Sequence, residues 1–347
     1  MLPGDRRARP PLPPWFGRAL EPLYRAELGR RSRAFDRGHR VVRPPAPVIS
    51  VGNLSVGGTG KTPVVMWLIE RLIERSRRPM VAMRGYRQSA STESDEALEY
   101  RRRFHGRVVV RAQPDRAAAI AEELARGTAD CVVLDDGFQH RRVARDVDIV
   151  LLDATRDPFS DRCLPAGWLR EPVEALARAH AIVLTRVDRA EPAQINALHT
   201  RAAEEAPHAI VARAAHRWAA LRVSERGAER EEPTRWLHGR RCVAACGVGH
   251  PAAFLAQCRA TGAEIAAELV RPDHDPWSPG AQRALVALCR REHCGVVLTT
   301  QKDAVKLASP LPASGGGIAV VVPTLEIEFT TGGAELLALV DRALGVA

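Results

Sequence analysis

The sequence predicts an α/β fold: a P-loop NTPase-type parallel sheet flanked by helices, a second, smaller α/β domain, and an N-terminal amphipathic helix. Three observations predict it. Short β-branched runs alternate with helical patterns along most of the chain. A Gly-rich loop, SVGGTGKT at residues 55–62, separates the first apolar run from the first apolar helix. A later run, VVLDD at 132–136, ends in two acids, as a strand does when its carboxyl end faces a phosphate site.

The elements follow in order. Residues 1–14 are rich in Pro and Arg. Then Trp15, Phe16, Leu20, Leu23, Tyr24 and Leu28 recur at three- and four-residue steps with arginines between them, the pattern of an amphipathic helix to about Phe35 with a cationic face. That pattern fits a helix lying in a bilayer interface and equally a helix packed on its own domain with solvated arginines. Pro44-Pro45-Ala46-Pro47 is a stiff linker. Strands are expected at 48–51, 80–83, 107–110, 131–134, 149–152 and 181–185, with helices at 64–73 and 117–125. Residues 221–240 are polar and charged and read as an interdomain link. Beyond it, strands at 242–246, 265–269, 296–299 and 318–322 alternate with helices at 252–261 and 280–291. The domains are therefore a basic N-terminal segment (1–45), a P-loop domain (46–220), the link (221–240), a smaller α/β domain (241–330) and a closing C-terminal helix (331–347).

Composition narrows the class. At 347 residues the chain has room for two cores, and 46% hydrophobic against 27% charged residues describes a globular protein. Seven cysteines form no disulfide pattern, and the CxxxC at Cys242 and Cys246 lacks a second ligand pair, so a reduced, cytoplasmic protein is expected. No run approaches the ~20 apolar residues of a spanning helix, and no signal-peptide core is present, so membrane contact is expected to be peripheral. The net charge is +10, and only three of the 51 basic residues are lysine: Lys61, Lys302 and Lys306. Lone arginines are thus weak signals, whereas a lysine inside the loop is a strong one. Residues 1–43 hold eleven arginines against four acids, which suits anionic lipid or nucleic acid.

The loop carries the chemistry. Ser55, Val56, Gly57, Gly58, Thr59, Gly60, Lys61 and Thr62 follow a strand and open a helix, so their backbone N–H groups can wrap phosphate oxygens at a helix N-terminus. Lys61 supplies charge to the β- and γ-phosphates, and the Thr62 hydroxyl is a Mg²⁺ ligand. Ser55 stands where the general pattern has Gly. Asp135 and Asp136, at the end of the acid-tipped strand, are candidate Mg²⁺ carboxylates.

Several longer strings are more specific. VISVGNLSVGGTGKTP (48–63), MRGYR (83–87), LDDGFQHRR (134–142), LPAGWLREP (164–172), GVGHPAAF (247–254), PDHD (272–275) and TTQKDAVK (299–306) occur in this order. Together they resemble the tetraacyldisaccharide 4'-kinase family over roughly residues 15–325. The resemblance implies phosphorylation of the 4'-hydroxyl of a tetraacylated glucosamine disaccharide 1-phosphate, giving lipid IVA, with ATP as donor and Mg²⁺ as cofactor. It implies a lipid-linked substrate and peripheral contact of the N-terminal segment with the cytoplasmic face of a Gram-negative inner membrane. A monomer without nucleic acid is expected.

The resemblance also assigns roles. Asp95, in Ser94-Asp95-Glu96, becomes the general base that takes the sugar hydroxyl proton. His274 becomes its partner from the second domain, followed by Asp275 where the family often has a second histidine. Lys61 acts in catalysis, and Glu171 joins the metal set. Arg170 contacts phosphate, Arg84 and Tyr86 line the substrate mouth, and Gln139 and His140 face the cleft. Read by themselves, Asp95 is a solvated loop acid and His274 a surface histidine. Lys302 and Asp303 belong to the family pattern without a physical account.

Two rival classes remain. A P-loop GTPase or ATPase of metallochaperone type needs a base-reading loop, which Thr185-Arg186-Val187-Asp188 matches poorly. A basic nucleic-acid-binding ATPase needs stacked aromatics, and the basic N-terminus lacks a repeated set. Neither explains the GFQH, LPAGWLRE and PDHD strings.

Overall fold

A computed structural model describes residues 12–85, 95–248, 251–273, 275–307, 311 and 317–346. The chain divides into two compact units, Met1–His216 with Ile327–Ala347, and Arg217–Glu326.

The first unit runs α1 (Pro14–Asp36), β1 (Val48–Asn53), α2 (Lys61–Glu74), β2 (Pro79–Met83), α3 (Asp95–Phe104), β3 (Val109–Ala112), α4 (Arg116–Ala125), β4 (Cys131–Asp135), β5 (Val147–Asp153), β6 (Ala181–Thr185), α5 (Pro192–Glu205) and the start of β7 (Ile210–Glu225). Its strands lie in the order β7-β6-β5-β1-β4-β2-β3, and each neighbouring pair is parallel. β1, β4, β5 and β6 are buried at every position. A parallel sheet covered on both faces needs such unbroken apolar runs, which is why these strands are easily read from sequence. In α2, Val64, Val65, Leu68, Ile69 and Leu72 are buried, one stripe at helical spacing. With β1 placed between β4 and β5, the P-loop leaves β1 beside the acidic end of β4, where α/β sheets bind ligands.

The second unit holds the rest of β7, then β8 (Ala228–Pro233), β9 (Arg241–Cys246), α6 (Pro251–Ala260), β10 (Glu264–Val270), α7 (Pro279–Arg291), β11 (Val296–Thr299), a short α8 (Gln301–Ala304) and most of β12 (Ala319–Thr331). β10, β9, β11 and β12 are parallel neighbours. Trp277 and Leu285 are buried in one of this unit's hydrophobic clusters and Phe254 and Cys258 in the other. The chain returns to the first unit within β12 and ends in α9 (Gly333–Leu344), whose Leu336, Val340 and Leu344 are buried in the first unit's main cluster.

The fold class is as the sequence predicts, and the local differences have simple causes. The polar stretch 221–240 begins as an antiparallel pair, with Leu221 opposite Glu232 and Val223 opposite Arg230. Leu221 and Val223 are fully buried, a two-residue period masked by the charged β8, which carries the Glu and Arg typical of an exposed edge. The third strand begins at Val109 rather than Arg107. All seven cysteines are buried free thiols, and burial pushes those of Cys131 and Cys242 up to about 12.

Candidate active site

The site begins where β1 ends. Asn53, buried and polar, turns its side chain along the loop. Its Nδ2 donates to the Ser55 carbonyl at 2.7 Å, and its Oδ1 accepts from Lys61 Nζ at 3.2 Å. The LPAGWLREP segment backs the same loop. Val56 N–H donates to the Trp168 carbonyl at 2.8 Å, and Arg170 N–H to the Leu54 carbonyl at 2.7 Å. Thr185, ending β6, donates its hydroxyl to the Thr59 carbonyl at 2.8 Å. The loop is thus tied down on two sides before any ligand arrives.

Its glycines are required by conformation. Gly57 and Gly60 have φ of +110° and +81°, values that L side chains rarely adopt. A Cβ on Gly60 would also sit 2.6 Å from the His216 ring. Gly60 caps α2 without a side-chain hydrogen bond, so the first N–H groups of that helix remain available to a phosphate.

Charge converges at the mouth of the loop. Lys61 Nζ lies 3.3 Å from Asp136 Oδ1, and Arg170 Nη1 donates to both Asp136 oxygens at 2.9 and 2.7 Å. Burial opposes ionisation of Asp136, but Lys61 and Arg170 outweigh it and hold the carboxyl below its ordinary range. Asp136 has a φ of +52°, an uncommon conformation for a residue with a Cβ. Asp135 is only 6% exposed. Burial raises its carboxyl above the usual range despite the nearby Lys61 charge and a hydrogen bond from Tyr100.

Gln139 Nε2 donates to the Asn53 carbonyl at 2.9 Å. His140 follows, and burial together with the charges of Arg116, Arg145 and Arg142 pushes its imidazole down to about 4. Glu171 turns to Arg178, which donates to it at 2.7 Å. Arg84, just past β2, is exposed. Asp95 is the first residue of α3, but its side chain, like Tyr86 and His274, lies outside the described residues.

Mg²⁺ at a nucleotide site takes one or two protein oxygens and completes its shell with phosphate and water. The Thr62 hydroxyl and Asp135 carboxylate, with Asp136 adjacent, are oxygen donors of that kind. Among the described residues no three His, Cys, Asp or Glu side chains gather as a metal cage, which a phosphate-shared ion does not require.

Sequence reasoning did not single out Asn53, Tyr100, Arg116 or His216. A polar residue ending a buried strand just before the loop was a usable signal for Asn53. Arg116, whose Nη1 donates to the Asp136 carbonyl at 3.1 Å, could not be told from the other arginines. Tyr100 and His216 reach the site from elements distant in sequence.

A family model described as LpxK, tetraacyldisaccharide-1-P 4'-kinase, matches residues 14–344. The tetraacyldisaccharide 4'-kinase of Anaeromyxobacter dehalogenans (strain 2CP-1 / ATCC BAA-258) is 38% identical over 342 residues, covering 93% of this chain and 89% of that protein. The protein of the same name from Syntrophobacter fumaroxidans is 38% identical over 326 residues, covering 88% and 81%. Among solved structures, the "apo" form of LpxK from Aquifex aeolicus in complex with ATP has a TM-score of 0.71 at 27% identity, covering 94% of this chain and 98% of that one. With the P-loop, the acid pair and the backing arginine in place within a match that runs from residue 14 to 344, the chain belongs to the tetraacyldisaccharide-1-P 4'-kinase family.

Proposed function

We propose that this protein transfers the γ-phosphoryl group of ATP to the 4'-hydroxyl of tetraacyldisaccharide 1-phosphate, a step of lipid A biosynthesis. The observation that carries the reading is the convergence of Lys61, Asp136 and Arg170 at the mouth of a P-loop in a chain matched to this kinase family from residue 14 to 344. The loop amides and the start of α2 hold the phosphates. Lys61, paired with Asp136 before nucleotide binds, moves its charge to the β/γ-phosphates. Arg170 keeps Asp136 compensated when Lys61 leaves. Mg²⁺, held through Thr62 and Asp135, would neutralise the phosphate charge that builds up during transfer.

Asp95 takes the proton of the attacking hydroxyl in this reading, and His274 orients it. Both assignments rest on the motifs.

Contact with the membrane surface is assigned to α1. One face of this helix is fastened to the first unit: the Tyr24 hydroxyl donates to the Arg170 carbonyl at 2.9 Å, and Glu21 accepts from Arg162 at 2.8 Å and from the Cys163 N–H at 3.1 Å. Its other face leaves Trp15 74%, Phe16 41% and Leu23 69% exposed; Arg18 is exposed as well, and Arg25 is exposed but paired with Glu174 at 3.1 Å. Aromatic rings beside arginines suit an anionic bilayer interface, where each nearby Arg contributes about 1 kcal/mol. No described helix is long and apolar enough to cross a membrane. The bilayer assigned is the cytoplasmic face of the inner membrane, where such a lipid substrate would be met.

The test is transfer of radiolabelled γ-phosphate from Mg-ATP to tetraacyldisaccharide 1-phosphate in detergent micelles. Wild type should label the lipid, with heavy loss in Lys61→Ala and Asp95→Ala. An undiminished Asp95→Ala would discard the base and keep the function. Free phosphate without labelled lipid would replace the kinase reading with a hydrolase.

A further inference from the structure

Tyr100 lies on α3, whose Ala97, Tyr100 and Phe104 form its buried face. Packing alone asks only for a ring here, as Phe104 illustrates one turn later. A phenol buried this completely must find a hydrogen-bond partner for its hydroxyl. The partner it has is unusual in being a side chain well suited to Mg²⁺. The Tyr100 hydroxyl donates to Asp135 Oδ2 at 3.0 Å, with the Thr62 side chain close to the same phenol. One buried hydroxyl therefore ties α3 to the end of β4, beside the first turn of α2.

We propose that Tyr100 is a positioning residue for the divalent cation: its hydroxyl fixes the Asp135 carboxylate in the orientation from which, together with the Thr62 hydroxyl, it holds Mg²⁺. Occupying Oδ2 sets the rotation of the carboxylate and leaves Oδ1 for the ion or its water. Both ligands stand on rigid backbone, the end of a fully buried strand and the start of a helix. Their remaining freedom is side-chain rotation, and the buried phenol removes it at Asp135. Partners of this kind behind a metal ligand typically account for ~10–100-fold in metal affinity. The inference rests on the kinase reading for the presence of Mg²⁺, and on the Tyr100 contacts for the role.

The test compares wild type with Tyr100→Phe, which keeps the ring and removes the hydroxyl. Binding of a fluorescent ATP analogue is titrated with and without Mg²⁺, alongside thermal unfolding. In Tyr100→Phe the Mg²⁺-free affinity should stay within about twofold of wild type, while the tightening produced by Mg²⁺ shrinks roughly tenfold. The Mg²⁺ concentration for half-maximal lipid phosphorylation should rise by a similar factor. Equal loss of affinity with and without Mg²⁺, or none in either, would overturn the role. Asp135→Ala serves as a second background, useful also if Tyr100→Phe is destabilised. Because Tyr100 acts through Asp135, adding Tyr100→Phe to Asp135→Ala should cost little further Mg²⁺ affinity, and an additive loss would overturn the inference. Wild type that binds nucleotide with no Mg²⁺ dependence would sink the kinase reading and this inference together. Normal Mg²⁺ dependence in wild type, unchanged in Tyr100→Phe, would sink this inference alone.

Discussion

Lys61 stands between Asn53 Oδ1 at 3.2 Å and the Asp136 carboxylate at 3.3 Å, so a nucleotide phosphate competes for a cation that is already paired. Arg170 makes the exchange feasible, because it donates to both Asp136 oxygens and leaves no uncompensated charge behind. Lys61→Ala should lower phosphoryl transfer by about 10²-fold or more, the scale for removing one group that stabilises transition-state charge, measured as kcat in the micelle assay. Two histidines give a pH prediction. Burial, aided by neighbouring arginines, pushes His140 and His216 down to about 4 from the ordinary 6.5 of an imidazole. The unfolded chain therefore binds protons that the fold excludes. Their contribution to stability is fully present above about pH 6.5 and is lost as pH falls toward 4, on the order of 1–2 kcal/mol per histidine by pH 5. Urea midpoints should fall between pH 7 and pH 5, and replacing both histidines with Asn should flatten that slope. An equally steep fall in the double variant would place the proton uptake elsewhere.

Elements set the next scale. The turn from β1 into α2 depends on Gly60, where φ is +81° and the His216 ring fills the space of a Cβ. Gly60→Ala combines backbone strain with a steric clash, so a loss of roughly 2–4 kcal/mol is expected in folding or nucleotide affinity, read by urea titration and ATP binding. For α1, replacing Trp15, Phe16 and Leu23 together with Ser should cut co-sedimentation with anionic vesicles. Thermal stability should change by no more than a degree or two, because these side chains are exposed. The strands of the first unit were legible because continuous apolar runs such as 131–134 and 149–152 have few other uses. The β7/β8 pair was not, because alternation over Leu221 and Val223 is short and the middle of β8, residues 229–232, is entirely charged.

At the scale of the molecule, the chain passes between its two compact units within β7 and returns within β12, which places α9 back on the first unit's core. Ligand binding should register as stability of the folded chain. Mg-ATP at 100 times its dissociation constant should add about 2.7 kcal/mol, seen as a raised unfolding midpoint that Lys61→Ala abolishes at the same ATP concentration. A midpoint insensitive to Mg-ATP in wild type would argue against a preformed site. The α/β class, the phosphate loop and the acid-tipped strand were determined by the sequence alone, because each is written in consecutive residues whose local chemistry admits few readings. The contacts of Tyr100 with Asp135, Arg170 with Asp136 and His216 with Gly60 were decided only by the tertiary structure. They span 35, 34 and 156 positions, and it is strand order that carries such residues together, since no local pattern encodes which neighbour a buried polar side chain will meet.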